Sequence, residues 1–535
     1  MAFDRQRLVD RLSAIPPLVA QLCRISGTPG ASIAIAQRGQ QIYHHHYGYR
    51  DVETKEPPDD DTLYWIGSLS KGMAAAAVGV LVDEGKLNWS TPVQRILPEF
   101  RQREKSIEGM INIADILAHR TGITSPNALW SQGGNKIYLE RADILPTFAY
   151  LQPIKDFRAS FQYCNFAYWL ADEIVHRVTD VSFGTFLTDR IFSPLGMTRT
   201  FVKPTDPVPQ NSAKPYMAMR DGSFLEIPPP AGHDGSAIAA AGGVRSSLRD
   251  LLVYYSAILK SRAVEFGGSE GVDSESTIIK QASYLTSGQN FLASKLQFEQ
   301  SYGFGLARVQ LPGVFGALGL NSGLVPEMPV IGKGDTSKLV IYHQGSYPGF
   351  LTSIFMIPEH DIVIVVLTNS LAFNDAADWL GQLVLEYTLD TATKTDFVGL
   401  AERSRDATLK GYDDLEEHIK HDLQQAPARP LASYVGSYFN SPRTFAIRII
   451  EDNGKLQMYF QKEDWDLYPL SSIGEDLFTW AIPYEEQARR ARWPLSDGSF
   501  FRIQFQADGK GNVGHLQWHL DPNTGPETFV KESAT

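Results

Sequence analysis

The chain is poor in cysteine and has no long apolar run, and both shortages restrict what it can be. Only two of its 535 residues are cysteines, Cys23 and Cys164, so a disulfide framework is not expected. No segment has the roughly 18 uninterrupted apolar residues that a membrane-spanning helix needs. Residues 1–7 are charged and lack the apolar core of a secretory signal. We therefore expect a cytoplasmic protein with no membrane partner.

Positive charge is also in deficit. Lysine and arginine total 49 residues against 61 aspartates and glutamates, which gives a net charge of -12. This balance argues against nucleic acid or an anionic membrane surface as the main partner. The hydrophobic content of 43% is that of a globular protein, and 535 residues exceed one ordinary core. We expect at least two domains.

Ser68 and Lys71 are the first residues that point to a particular chemistry. They stand three residues apart at the head of the apolar run 72–82, and on a helix this spacing places both side chains on one face. A serine hydroxyl becomes a good nucleophile when a base takes its proton, and a lysine shielded from water can lose its charge and act as that base. The pattern S-x-x-K is common by chance, so it needs partners elsewhere in the chain.

Two further segments supply such partners. Tyr163 and Asn165 lie at a turn or helix entrance between a polar loop and an amphipathic run, where a phenol can pass a proton to a leaving group. His343, Gly345 and Ser346 lie between two β-rich runs. Glycine at this position lets a substrate carbonyl approach the strand backbone, and the amide of Ser346 can then join that of the nucleophile as an oxyanion hole.

Taken in chain order, S-x-x-K, Y-x-N and H-x-G resemble the three motifs of the serine β-lactamase and penicillin-binding-protein superfamily. The version here is most similar to the branch that holds class C β-lactamases, D-aminopeptidases and family VIII esterases. Further landmarks of that branch occur in its order at residues 83–87, 116–123, 194–197, 241–244 and 302–305. The resemblance covers roughly residues 10 to 390.

This resemblance implies an α+β fold, in which an antiparallel sheet is flanked by helices. Two apparent hairpins, at residues 31–43 and 351–368, would join into that sheet. The resemblance also implies Ser68 as nucleophile, Lys71 as activating base, and Tyr163 as the group that orients the lysine and relays a proton. Which of Lys71 and Tyr163 takes the serine proton stays open. Asn165 would anchor Lys71 or a substrate amide, with turn capping as the alternative.

His343 departs from the lysine of the superfamily's K-T-G motif. A lysine there offers a permanent cation to a substrate carboxylate, whereas a histidine near neutral pH is mostly uncharged. We therefore expect esters, amides or thioesters of less charged acids as substrates, rather than penicillin. In this interpretation His343, Gly345 and Ser346 line the substrate and oxyanion site.

No metal or other cofactor is expected. The run His44, His45 and His46 is a candidate for metal binding. However, successive side chains of a strand point to opposite faces, and no nearby cysteine or carboxylate set completes a site. Members of the resembled family need no metal. Cys164, in the middle of Y-x-N, is interpreted as a small space-filling residue rather than a reactive thiol.

The chain changes character after about residue 395. Residues 402–428 are polar and charged, and short strands separated by Asn-Gly and Asp-Gly turns follow. Their Tyr-x-Gly-x-Tyr opening resembles the lipocalin-like C-terminal domains of some D-aminopeptidase relatives. We predict a catalytic domain at 1–395, a helical linker at 396–430, and a small antiparallel β-barrel at 431–535 that serves as a scaffold or a cleft wall.

An apolar insertion, residues 313–334, lies shortly before the third motif. We call it the apolar loop. It could cover a hydrophobic acyl group beside the oxyanion strand. Packing on its own domain is the alternative.

These features together predict a serine hydrolase that acts on ester or amide bonds of a small-molecule or peptide-like metabolite through an acyl-enzyme on Ser68. One alternative is an acyltransferase, transesterase or thioesterase-type cyclase of secondary metabolism, which could take its acyl group from a carrier-protein thioester. Another is a catalytically idle acyl-binding scaffold. Hydrolysis and transfer would use the same residues, so the sequence does not separate them. The oligomeric state also stays open.

Overall fold

The computed structural model describes residues 5–202, 209–267, 276–293, 296–422 and 425–533. Within these ranges an eight-stranded antiparallel sheet forms the centre of the N-terminal part. In spatial order its strands are Gln40–Gly48, Gly30–Gln37, Ile362–Thr368, Phe350–Ile357, Leu339–Tyr347, Ala307–Gln310, Gln300–Tyr302 and Asn290–Phe291. Both predicted hairpins are present, and they join where Ala31 pairs with Thr368. The first and last segments of the catalytic part therefore meet in the middle of one sheet.

Helices cover this sheet on both faces. The described helices of the whole chain are, in order, Arg5–Leu12, Pro16–Ser26, Ser70–Asp83, Val93–Ile96, Lys105–Glu108, Ile113–Leu117, Ile144–Tyr150, Asn165–Thr179, Phe183–Leu187, Ser193–Leu195, Ala239–Gly242, Leu248–Glu265, Ala282–Leu285, Ala376–Leu389, Phe397–His421 and Tyr484–Arg489. Leu248–Glu265 and Ala376–Leu389 pack directly on the strands of this sheet. None of the described helices is both long and apolar enough to cross a bilayer. Three small sheets complete the N-terminal part: Leu63–Trp65 with Arg245–Ser247, Gly313–Val314 with Val330–Ile331, and Ser370–Leu371 with Tyr216–Ala218 and Phe224–Glu226.

The helix Ser70–Asp83, which we call the nucleophile helix, is buried on every side. Its residues 70–81 are all buried, because alanine and glycine dominate the sequence and present no polar face. Alanine is also the strongest helix former, so local preference and burial agree. A single turn of 3-10 helix, Gly67–Leu69, leads into it. Ser68 thus stands on a rigid support, in a turn that packs against the strand Leu339–Tyr347.

The C-terminal part is a nine-stranded antiparallel sheet that curls into a nearly closed barrel. In spatial order its described strands are Tyr468–Pro469, Lys455–Phe460, Ala446–Asp452, Gly436–Phe439, Glu527–Lys531, Val513–Trp518, Arg502–Ala507, Leu477–Thr479 and Ser471–Gly474. Buried aromatic rings fill its interior, among them Phe460, Trp480 and Trp518. The predicted fold class, an α+β sheet protein with a C-terminal antiparallel barrel, is confirmed.

Between the two sheets runs the helix Phe397–His421, which packs against the helix Pro16–Ser26. The predicted linker is therefore helical in its first part and rests on the N-terminal body. Dividing the chain into three units at residues 395 and 430 stays our proposal.

Candidate active site

Ser68 and Lys71 lie side by side at the start of the nucleophile helix. Lys71 Nζ is 3.0 Å from Ser68 Oγ and donates a hydrogen bond to the carbonyl oxygen of Ala241 at 2.8 Å. The helical spacing that the sequence predicts thus brings the two reactive groups within proton-transfer distance. Ser68 is partly exposed, whereas Lys71 is 0% exposed.

The surroundings of Lys71 favour its neutral form. Complete burial lowers the pKa of Lys71 well below its usual value, because a charged ammonium loses its hydration there. Two aromatic rings lie nearby, 5.0 Å (Tyr163) and 5.5 Å (Tyr168) from Nζ to the ring centroid, and their attraction for a cation offsets only part of this lost hydration. Within the described residues no carboxylate lies within 4.0 Å of Lys71 to hold its proton. Such a lysine can accept a proton from a neighbouring hydroxyl.

Tyr163 contributes a group of the opposite character. Burial raises the pKa of its phenol, and the hydroxyl interacts with Ser68. The phenol therefore keeps its proton at neutral pH and can donate it. Tyr163 just precedes the helix Asn165–Thr179, whose other buried residues hold it against the nucleophile helix.

A backbone contact brings the third motif to Ser68. Gly345 faces Ile66 so closely that a Cβ at position 345 would lie 2.1 Å from the Ile66 carbonyl oxygen and 2.5 Å from Thr352 Oγ1. Gly67 has a φ of 51°, and a Cβ there would lie 2.6 Å from the Ser346 amide nitrogen. The amide of Ser346 is thus adjacent to the turn that carries Ser68, which is the arrangement that a two-amide oxyanion hole requires.

His343 does not face substrate. Its side chain is 1% exposed and is absent from the described residues that line the cavity. Nδ1 donates to the carbonyl oxygen of Gln344, so Nε2 of the neutral ring accepts from the Tyr302 hydroxyl at 3.0 Å. Burial, with a smaller effect from the nearby Lys71, lowers the pKa of His343 to about 3. The ring is therefore neutral at pH 7, and the predicted substrate contact is corrected to a position beneath the cavity wall.

A cavity of 490 Å³ opens above Ser68. Tyr163, Asn165 and Ser346 line it, as the motifs predict for a substrate site. Asn165 does not anchor Lys71: its side-chain amide donates to Asn127 Oδ1 at 3.0 Å, and its backbone amide donates to Ser125 Oγ at 3.1 Å. Asn165 therefore lies at the first residue of the helix Asn165–Thr179 and forms part of the cavity lining.

The apolar loop and the C-terminal part also contribute residues to the cavity wall. Leu318 and Leu320 of the apolar loop belong to its wall. The loop is held by Asn321, whose side-chain amide donates to Asp375 O and to Asp378 Oδ2, both at 2.9 Å. A further part of the wall comes from the C-terminal part, through Arg492, Trp493, Leu495, Phe500, Leu520, Asp521, Pro522 and Asn523. This agrees with the expected role of the C-terminal part as a cleft wall.

Comparison with known protein families decides where this arrangement belongs. A family model described as Beta-lactamase matches residues 7–387, more than half of the chain. The chain belongs to the β-lactamase family. A second family model, described as a domain of unknown function (DUF3471), matches residues 420–531.

Individual relatives agree with this assignment. The unguisins hydrolase of Aspergillus campestris is 23% identical over 460 residues, which cover 82% of this chain and 77% of that protein. Protein flp of Staphylococcus aureus is 31% identical over 192 residues, but the alignment spans 35% of this chain and 38% of that protein. The octameric penicillin-binding protein homologue from Pyrococcus abyssi superposes with a TM-score of 0.55 at 19% identity, covering 97% of this chain and 100% of that one. The predicted superfamily resemblance is confirmed, and the shared fold extends over nearly both whole chains.

Sequence reasoning missed several residues of this β-lactamase-family site. His119 stacks on Tyr163 with ring centroids 4.2 Å apart, and its Nδ1 accepts from the Cys164 amide at 3.1 Å. Tyr302 closes the same aromatic cage, 5.0 Å from His119. Both residues lie in segments that resemble family landmarks, 116–123 and 302–305, so the sequence did mark these segments. Neither residue forms a motif that indicates a catalytic or binding role. Burial raises the pKa of the Cys164 thiol to about 12, which fits the space-filling interpretation.

The histidine run behaves differently from the expectation. His44 and His46 share one face of their strand, and Asp60 lies against both: its Oδ1 is 3.0 Å from His44 Nδ1 and 3.0 Å from His46 Nε2. The expectation that no carboxylate completes a metal site with these histidines is therefore wrong, because Asp60 contacts both His44 and His46. The three donor atoms lie within 4.8 Å of one another. None of them belongs to the described lining of the cavity.

Proposed function

We propose that this protein is a serine hydrolase that cleaves an ester or amide bond of a small-molecule or peptide-like metabolite through an acyl-enzyme on Ser68. The observation that carries the proposal is the 3.0 Å contact between Ser68 Oγ and the Nζ of a fully buried Lys71. A scaffold without catalysis would gain nothing from burying a lysine that has no carboxylate partner among the described residues, since burial without such a partner is costly for the charged form and drives the group towards its neutral form.

The proposed reaction assigns one task to each group. Neutral Lys71 takes the proton of Ser68 as Oγ attacks the substrate carbonyl, and the amides of Ser68 and Ser346 stabilise the oxyanion. Tyr163, which keeps its proton, protonates the leaving alcohol or amine. Water then attacks the acyl-enzyme with the same groups reversed. The opposite pKa directions of Lys71 and Tyr163 favour the lysine as the base.

Two observations favour hydrolysis over acyl transfer. Ser68 is partly exposed to solvent, so water can reach the acyl-enzyme. The similarity to the unguisins hydrolase spans 82% of the chain, and that relative is a hydrolase by name. Transfer to an acceptor, cyclisation of a thioester and a place in secondary metabolism remain alternatives within the same machinery.

Intact-protein mass spectrometry with a fluorophosphonate and a panel of p-nitrophenyl esters and thioesters tests the proposal. We expect one covalent adduct, located on Ser68, and neither adduct nor turnover in Ser68→Ala. The matched control is Ser131→Ala, which alters a second serine of the cavity lining and should keep the adduct. Undiminished labelling of Ser68→Ala would refute the proposal. Product analysis with added alcohol or amine then measures how the acyl group divides between water and acceptor.

A further inference from the structure

A buried cation of the barrel faces the active-site cavity. Arg492 is 2% exposed, and it lines the same 490 Å³ cavity as Ser68. Within the described residues no carboxylate lies within 4.0 Å of its guanidinium, and its Nε has no hydrogen-bond partner. Buried arginines are normally paired, because an unpaired charge away from water is expensive. An arginine without a carboxylate partner at a cavity wall is thus suited to receive an anion, through N–H groups that its own contacts leave free rather than through the buried Nε.

The contacts that Arg492 does make hold it in place without neutralising it. Nη2 donates to Gln132 Oε1 at 2.7 Å, and Nη1 donates to the Tyr468 hydroxyl at 2.9 Å. The guanidinium also lies 4.9 Å from the ring centroid of Trp480. Aromatic and amide partners of this kind orient a guanidinium but leave its charge in place.

The nearest acidic groups are already occupied. Asp466 accepts from the Tyr468 hydroxyl at 2.5 Å and pairs with Arg490 at 2.8 Å, so its charge is balanced by another arginine. Asp521, the other charged residue among the described lining residues, accepts from the Thr124 hydroxyl and from Asn523. The described lining of the cavity therefore holds one cation without a carboxylate partner among the described residues, and one carboxylate that is already bound by Thr124 and Asn523.

We propose that Arg492 binds a carboxylate of the substrate, so that the substrate carries an anionic group at a distance from its reacting carbonyl. Apolar side chains between the two ends, including Trp130, Leu318 and Leu320, would cover an apolar middle. The proposal rests on the function proposed above and specifies its substrate class. The proposal also assigns carboxylate recognition to an arginine of the barrel, because the neutral ring of His343 carries no positive charge.

Two series of esters test this inference. The first contains mono-p-nitrophenyl esters of succinic, glutaric, adipic and suberic acid, with the carboxylate on the acyl side. The second contains acetate esters of hydroxycarboxylic acids of matched length, with the carboxylate on the alcohol side. Each compound is compared with its methyl-capped, neutral counterpart through kcat/KM. At one length the wild type should prefer the free carboxylate by about 10-fold or more, as expected for a charge-assisted hydrogen bond.

Variants then tie the preference to Arg492. Arg492→Met should abolish it, measured within the variant as the ratio of kcat/KM for each carboxylate ester to kcat/KM for its methyl-capped counterpart, and Arg492→Lys should keep part of it. Gln132→Glu is a second variant, in which Arg492 itself is unchanged. It places a carboxylate beside Nη2 of Arg492, which should compete with the substrate carboxylate and remove the preference for carboxylate esters. The matched control is Arg443→Met, a barrel arginine that also lies on an aromatic ring, 4.0 Å from Phe439, but outside the cavity lining.

The outcomes separate this inference from the proposed function. If neutral esters are hydrolysed in a Ser68-dependent manner but neither series shows a carboxylate preference, the inference is overturned and the hydrolase proposal stands. A preference that survives in both Arg492→Met and Gln132→Glu also overturns it. If turnover persists in Ser68→Ala, the proposed function itself fails. Loss of the preference in both variants, but not in Arg443→Met, supports Arg492 as the carboxylate-binding residue.

Discussion

Replacing Gly345 by alanine should disable the site although no reacting side chain is replaced. A Cβ at this position would lie 2.1 Å from Ile66 O, whereas ordinary contact begins at 3.4 Å. The strand Leu339–Tyr347 and the turn that carries Ser68 must therefore separate by about 1.3 Å. A displacement of about 1 Å can cost 10²-fold in rate, and loss of one oxyanion donor costs roughly 10²- to 10³-fold. We expect a drop of at least about 10²-fold in kcat, because the Ser346 amide moves away from the oxyanion.

The assay is kcat and KM for a neutral p-nitrophenyl ester, with a thermal melt of each variant. Overpacking typically costs about 1–3 kcal/mol in the free energy of unfolding, so Gly345→Ala should melt a few degrees lower but remain folded. Gly514→Ala is the matched control, since its Cβ would meet no atom within 4 Å. A folded Gly345→Ala protein whose kcat stays within about 3-fold of wild type would refute this account of the oxyanion hole.

Three further predictions concern the base, the apolar loop and metal ions. Because burial depresses the pKa of Lys71, kcat/KM should rise with pH along a limb set by its deprotonation, and Lys71→Arg, which stays charged, should lose at least about 10²-fold in a pH–rate measurement. Asn321→Ala should raise KM for long acyl esters more than for short ones in a chain-length series, because the bonds that hold the apolar loop are lost. Turnover should survive dialysis against EDTA, since His44, His46 and Asp60 lie outside the described cavity lining; a loss restored by zinc would contradict this.

The core of the site could be predicted from sequence because its chemistry lies in short, local patterns. Ser68 and Lys71 are one helical turn apart, so helix geometry alone brings them together. Tyr163 stands at a helix entrance, which the change from polar loop to amphipathic run marks. The sheet was equally accessible, because its hairpins combine short apolar runs with turn residues. The contact between Ser68 and Lys71 and the pairing within each hairpin join residues that are near in sequence. The assignment of Tyr163 to the same site follows from the family resemblance.

Residues whose role depends on distant packing could not be predicted in this way. His343 follows a motif position, but only the fold shows that Tyr302 and the strand backbone use both of its ring nitrogens and keep it from the cavity. Asp60 reaches His44 and His46 from a loop that carries no metal-binding spacing. For Asn165 the sequence left an anchor for Lys71, a substrate contact and turn capping open, and only the fold shows that its side-chain amide bonds Asn127 while the residue lines the cavity. Such contacts are set by tertiary structure, which local patterns do not record.

Arg492 is the clearest case, and it also changes the argument about specificity. It lies more than 400 residues from Ser68, in a segment without any catalytic pattern, so only the docking of the barrel onto the cleft reveals it. From the motifs alone, a neutral His343 argues against anionic substrates. The fold keeps that histidine neutral and yet supplies, at the cavity wall, an arginine without a carboxylate partner among the described residues. If Arg492 selects the substrate, the β-lactamase-like part performs the acyl chemistry, and the barrel determines which acyl compounds bind. Replacing the barrel with that of a relative should then change the relative kcat/KM of different substrates more than it changes the type of reaction.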